Sequence, residues 1–96
     1  MERVPCVYIL ARASHSTFYT GVTSQLVGRV WQHREGVADG FTKRYALHLL
    51  VWFQSTESIE AAISREKQLK NWKRDWKVAL VEKANPGWAD LYEGIL

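Results

Sequence analysis

The sequence predicts an α+β sandwich: a β-hairpin and one further strand covered by helices, in the order β-β-α-β-α-α. Three observations carry that reading. Two short runs rich in β-branched and aromatic residues, 4–12 and 17–22, are separated by Ala13-Ser14-His15-Ser16, a gap short enough for a hairpin loop. A nearly unbroken apolar run, LHLLVWF at 47–53, has the length and composition of a buried strand. Between and after these runs, apolar residues recur every three or four positions behind capping residues, as in helices.

Taken in order, the first strand holds Val4, Cys6, Val7, Tyr8, Ile9 and Leu10, and the second is TFYTGV. Both carry the residue types that fit a pleated, half-buried surface. Ser24 is placed to cap a helix over 24–35 whose apolar stripe is Leu26, Val27, Val30 and Trp31, and Gly36 ends it. Residues 37–46 read as a loop with Gly40 and the basic pair Lys43-Arg44. The apolar run 47–53 is expected to be buried on both faces. Thr56 or Ser58 caps the next helix, with Glu57 and Glu60 at its positive end and Ile59, Ala62, Ile63 and Leu69 as its apolar positions. A further helix over 74–84 carries Trp76, Ala79 and Leu80 and stops at Asn85-Pro86-Gly87. The tail then docks Trp88, Leu91 and Tyr92 on the body.

At 96 residues the chain is one domain, and nothing in it reads as a linker, repeat or low-complexity segment. No stretch approaches the roughly 20 apolar residues of a membrane span. The opening MERVPCVYIL lacks the apolar run and cleavage site of a signal peptide. The single cysteine, Cys6, excludes an internal disulfide framework or a cysteine-rich zinc site and reads as a buried thiol. A reducing cytoplasm is the expected location. The net charge of +3 says little alone, but six of the thirteen basic residues fall in 65–77, REKQLKNWKRDWK, with Trp72 and Trp76 interleaved. That pattern suits a surface facing a nucleic acid, or equally a solvated helix face with tryptophans turned inward.

The chemistry-bearing residues start with the hairpin. With a four-residue loop, Arg12 pairs with Thr17, Tyr8 faces Gly21 and Leu10 faces Tyr19. Tyr8 and Tyr19 then share a face as diagonal neighbours. Glycine is costly inside a strand and marks a close approach, so Gly21 is expected to leave a gap across from Tyr8. The alternative is a tyrosine pair packed in the core with its hydroxyls satisfied. On the first helix Arg29 and His33 stand one turn apart at the edge of the apolar stripe, while Gln32, Arg34 and Glu35 read as solvated. An arginine fork suits a phosphate and a histidine can donate a proton or a hydrogen bond. Glu66 interrupts the otherwise apolar stripe 59, 62, 63, 69. An inward carboxylate needs an ion pair, a proton or a hard divalent cation.

The triplets Val7-Tyr8-Ile9 and Tyr19-Thr20-Gly21, followed by Arg29, His33 and Glu66 in that order, resemble the motif set of the GIY-YIG nuclease superfamily. GFTKRY and REKQLKNWKR resemble its small stand-alone bacterial members, and the likeness covers nearly the whole chain. The resemblance implies a three-stranded antiparallel sheet flanked by helices and hydrolysis of DNA phosphodiesters with Mg²⁺ or Mn²⁺. It also implies a site of Tyr8, Tyr19, Arg29, His33 and Glu66, with Glu66 as the metal ligand. Lys43, Arg44, Lys70, Lys73 and Arg74 are expected to track the nucleic-acid backbone. Val7 stands where the motif has Gly, Thr20 where it has Ile, and Val78 near where many catalytic members carry Asn. The rival reading is a non-catalytic nucleic-acid-binding module acting with a protein partner. RNA remains open beside DNA.

Overall fold

The computed structural model describes residues 3–13, 15–37 and 40–96. Its sheet has three strands, β1 (Cys6–Ala11), β2 (Phe18–Thr23) and β3 (Leu49–Ser55), in the order β2-β1-β3 with both pairings antiparallel. β1 is central and buried along its whole length, which is why its six residues are nearly all apolar. The β1–β2 register is the predicted one, with Tyr8 opposite Gly21 and Leu10 opposite Tyr19. Among the described residues four helices accompany the sheet: α1 (Leu26–Arg34), α2 (Gly40–Arg44), α3 (Ile59–Lys70) and α4 (Arg74–Ala84), with a final 3₁₀ turn at Glu93–Ile95.

Alternate residues of β1 serve two separate clusters. Val7, Ile9 and Ala11 pack with Val51, Trp52, Leu69 and Val81, on the side covered by α3 and α4. Tyr8 and Leu10 pack with Val30, Leu47 and Leu50, on the side covered by α1. The tail closes the α1 side with Leu91, Tyr92 and Ile95, while Trp88 joins the other cluster. Cys6 is a buried free thiol, as expected.

Several local expectations need correction. Ser24 does not cap α1: Gln25 holds the cap position without a side-chain bond, and its N–H donates to Thr23 Oγ1 at 2.9 Å. The C-terminal end does behave as predicted. Gly36 takes φ +72°, and the N–H groups of Gly36 and Val37 return to the carbonyls of His33 and Gln32, which closes a Schellman turn. The segment read as a loop contains the five-residue α2; its neighbours 38 and 39 lie outside the described residues.

β3 runs two residues later than predicted and is not buried on both faces throughout, since Phe53, Gln54 and Ser55 are exposed. Leu47 is fully buried but precedes the strand. Ile9 pairs with Trp52 and Leu10 with Leu50, so Val51 is an extra residue. This bulge lets Val51 and Trp52 both face the α3–α4 cluster. Buried Asn85, just past α4, donates through Nδ2 to the Val51 carbonyl at 3.1 Å.

Ser58 caps α3, its Oγ accepting from Ala61 N. Of the predicted stripe only Ala62 and Leu69 are buried, and Ile59 and Ile63 are exposed. α3 therefore rests on β1 and β2 along a narrower line than its sequence suggested. Trp76 is likewise 58% exposed rather than packed. Arg34 is not solvated: it pairs with Asp90 and stacks over the Tyr92 ring. Asp90 Oδ1 accepts from Leu50 N, and Leu91 N donates to the Leu50 carbonyl, which fastens the tail to β3. Among the described residues no helix is long and apolar enough to cross a membrane.

Candidate functional site

The site grows out of one steric fact. A Cβ on Gly21 would lie 2.6 Å from Cζ and Oη of Tyr8 and 2.9 Å from Cε2 of Tyr19. The space opposite Tyr8 is thus not a gap, as the sequence suggested. It is filled by the Tyr8 phenol itself, which lies across the glycine, with Tyr19 against it. Any side chain at position 21 would push the two rings out.

Tyr8 and Tyr19 have ring centroids 6.2 Å apart, and His33 completes a triangle at 5.8 Å from Tyr8 and 5.3 Å from Tyr19. His33 reaches there because it stands on α1 one turn after Arg29 and just past Val30, both on the face that covers the sheet. Tyr8 Oη and His33 Nε2 are hydrogen-bonded at 2.9 Å, and both residues are fully buried. Tyr19 is only half-buried. Of the two phenols it is the one that meets solvent.

Arg29 lies beside this triangle. Partial burial pulls its pKa down, but hydrogen bonds and charge from Tyr8 and Tyr19 outweigh that and raise it above the ordinary arginine range. Raised in this way, the group contributes stability that is lost only as pH rises beyond that range, so Arg29 stays cationic at any working pH. Its Nη1 also donates to Gln32 Oε1 at 3.0 Å. The guanidinium is oriented from its own helix and from both phenols.

Glu66 sits on α3, the helix that contributes Leu69 to the opposite side of the sheet. Its Oε2 pairs with Lys70 Nζ at 3.4 Å. Lys70 in turn lines a groove of about 300 Å³ with Phe18, Tyr19, Thr20 and Lys77, along the edge strand β2. The structure therefore gathers Tyr8, Tyr19, Arg29 and His33 on one side, whereas Glu66 stands on α3, which packs on the other side, paired with Lys70. Among the described residues no group of three or more His, Cys, Asp or Glu could cage a metal ion. A single, partly exposed carboxylate fits an ion such as Mg²⁺, which takes one or two carboxylates and completes its shell with water and phosphate oxygens.

The expected backbone-tracking residues divide. Lys43 and Arg44 on α2, Lys70 at the end of α3 and Lys73 before α4 are exposed. Arg74 is committed elsewhere: Nη2 and Nη1 donate to the carbonyls of His15 and Ser16 at 2.6 and 3.0 Å, and the guanidinium stacks on Phe18. It clamps the hairpin loop. Lys77, by contrast, lines the Tyr19 groove and was not singled out. It belongs to the basic run, but its facing depends on how α4 sits beside β2.

Three kinds of comparison bear on this arrangement. The family profile described as GIY-YIG catalytic domain matches residues 4–79. The chain is similar to a UPF0213 protein of Haloquadratum walsbyi, 34% identical over 77 residues that cover 80% of this chain and 85% of that one. A UPF0213 protein of Pediococcus pentosaceus is 33% identical over 76 residues, 79% of each chain. The solution NMR structure of a UPF0213 protein from Bacillus halodurans superposes with a TM-score of 0.58 at 26% identity, covering 91% of this chain and 92% of that one. The paired tyrosines packed over Gly21, the α+β fold and the matched span together place this chain in the GIY-YIG family.

Proposed function

We propose that the protein is a metal-dependent endonuclease that hydrolyses nucleic-acid phosphodiester bonds, with DNA as the first substrate to test. The observation that supports this best is the convergence of Tyr8, Tyr19, His33 and Arg29 over Gly21. Phosphoryl transfer asks of a protein mainly positioning and charge neutralisation, and these four residues offer both. Arg29 grips a non-bridging phosphate oxygen through its fork and offsets the charge that develops on it.

Tyr19, the half-buried residue of the pair, in its phenolate form takes the proton of the attacking water as the new phosphorus–oxygen bond forms and the bond to the leaving oxygen breaks. A phenol accepts a proton only when ionised, and Arg29 is the cation held beside it. Tyr8 is too buried to meet bulk water. It orients Tyr19 and, with His33 Nε2 as acceptor, donates its proton along the hydrogen bond to His33. Bound at Glu66, Mg²⁺ or Mn²⁺ would supply charge stabilisation at the leaving oxygen. Lys43, Arg44, Lys70, Lys73 and Lys77 add salt-sensitive contacts to the backbone.

The second reading is a nucleic-acid-binding module that does not cleave and takes its specificity from a protein partner. It is favoured by the Glu66 carboxylate already facing a cation, Lys70. A cleavage assay separates the two. Branched, nicked and linear DNA and structured RNA are incubated with wild type, Glu66→Ala and Tyr19→Phe in Mg²⁺ or Mn²⁺. Cleavage by wild type that both variants lose is the expected result. Equal binding by all three with no product in either metal would leave only the binding module.

A further inference from the structure

We propose that Lys70 is a switching cation: it holds the Glu66 carboxylate when no metal is bound and transfers to a nucleic-acid phosphate when metal arrives. The inference rests on the reading of Glu66 as the metal ligand and assigns to Lys70 the coupling of metal binding to substrate binding.

Glu66 and Lys70 occupy successive turns of α3, with Lys70 Nζ 3.4 Å from Glu66 Oε2. Glu four residues before Lys is the favourable order for such a pair. The two side chains are unequal: the carboxylate is 21% exposed and the ammonium 53%. The carboxylate is the more enclosed partner, and the lysine end is the more exposed one. Lys70 has a second destination, since it also lines the β2-edge groove with Tyr19 and Lys77. Among the described residues no additional acid cluster completes a metal cage. An ion at Glu66 would therefore draw its other ligands from water and from a phosphate bound beside it.

The ammonium and a divalent ion repel strongly at contact distances around one carboxylate. Metal binding thus releases Lys70, and the groove beside Tyr19 is where its charge is next useful. Without metal, the ion pair cancels one positive charge of the nucleic-acid face and leaves non-specific affinity lower. The coupling is reciprocal: a phosphate that draws Lys70 away bares Glu66 for the ion.

Two measurements on the full chain test this. In the first, Mn²⁺ binding without nucleic acid is followed by electron paramagnetic resonance for wild type, Lys70→Met and Glu66→Gln. Lys70→Met is expected to bind Mn²⁺ at least about threefold more tightly, the scale set by one unit charge removed beside a divalent ion. Glu66→Gln is expected to lose the site. Unchanged or weaker binding by Lys70→Met overturns the switch; unchanged binding by Glu66→Gln, or no binding by wild type, instead overturns Glu66 as the metal ligand. In the second, a short DNA oligonucleotide is titrated in chelator with wild type, both single variants and the double variant. Glu66→Gln should tighten binding, and the gain should shrink at least twofold once Lys70→Met is added. Additive effects in this cycle overturn the transfer of Lys70 to phosphate. This arm contains neither metal nor cleavage, so its outcome is independent of whether the protein proves to be a nuclease.

Discussion

The two sides of the sheet are drawn from alternate residues of one six-residue strand, yet they handle polar atoms in different ways. On the α3–α4 side, Val7, Ile9 and Ala11 meet Val51, Trp52, Leu69 and Val81, and the buried contact is made by apolar side chains. On the α1 side, Tyr8 brings a hydroxyl into a fully buried position and His33 answers it. At the margin of the α3–α4 side the buried amide of Asn85 is met by a backbone carbonyl, that of Val51. On the α1 side a side chain has to be matched by another side chain, because an unmet buried polar group is costly. The α1 side is where a glycine, rather than an apolar residue, is required on the neighbouring strand. The α1 side thus keeps Tyr8 and His33 inside the core and leaves Tyr19 partly exposed beside them.

Four substitutions break or sharpen that contrast, in decreasing order of effect. Leu69→Ala removes a fully buried side chain from the apolar side and should lower stability by about 2–5 kcal/mol. Denaturant unfolding measures the loss, and any cleavage activity should persist below the new midpoint. Gly21→Ala attacks the other side. Its Cβ meets Tyr8 at 2.6 Å, so it should cost about 1–3 kcal/mol through overpacking and also displace the phenol. Cleavage then falls even where circular dichroism shows the protein folded. A variant that unfolds less than Leu69→Ala and loses more activity is the signature expected of the α1 side.

Tyr8→Phe is gentler on the fold. Losing the bond to His33 should cost about 1 kcal/mol, while cleavage should drop by about 10²-fold or more if the hydroxyl takes part in proton transfer. A variant with full activity would reduce Tyr8 to a packing residue and erase the contrast between the sides. Lys43→Ala, on exposed α2, should leave stability unchanged within about 0.5 kcal/mol. It should lower the slope of log affinity against log salt by about one.

Much of this was legible in the chain. Val7-Tyr8-Ile9 and Tyr19-Thr20-Gly21 lie in strands whose register follows from loop length alone, and the folded chain keeps that register. Helical spacing put Arg29 and His33 on one face at the core edge; Arg29 is there, but His33 is fully buried. What failed has a common cause. Ile59, Ile63 and Trp76 are apolar and periodic but exposed, because periodicity tells which residues share a face and not how much of that face a neighbour covers. Arg34 and Arg74 looked like surface charges, yet their partners, Asp90 and the His15–Ser16 carbonyls, are 56 to 59 residues away in sequence.

The strand order along the chain, the hairpin register, the shared face of the two tyrosines and the pairing of Tyr8 with glycine follow from the sequence. All of these depend on short-range geometry: the two-residue period of a strand, the 3.6-residue period of a helix and the length of a turn. Tertiary structure alone decided that Tyr8 fills the space over Gly21, that His33 receives it, that Lys70 stands between Glu66 and the Tyr19 groove, and that a bulge at Val51 is held by Asn85. Each of these outcomes turns on where a helix or a side chain comes to rest, within about an ångström, against its neighbours. Only the simultaneous packing of both sides of the sheet sets that position.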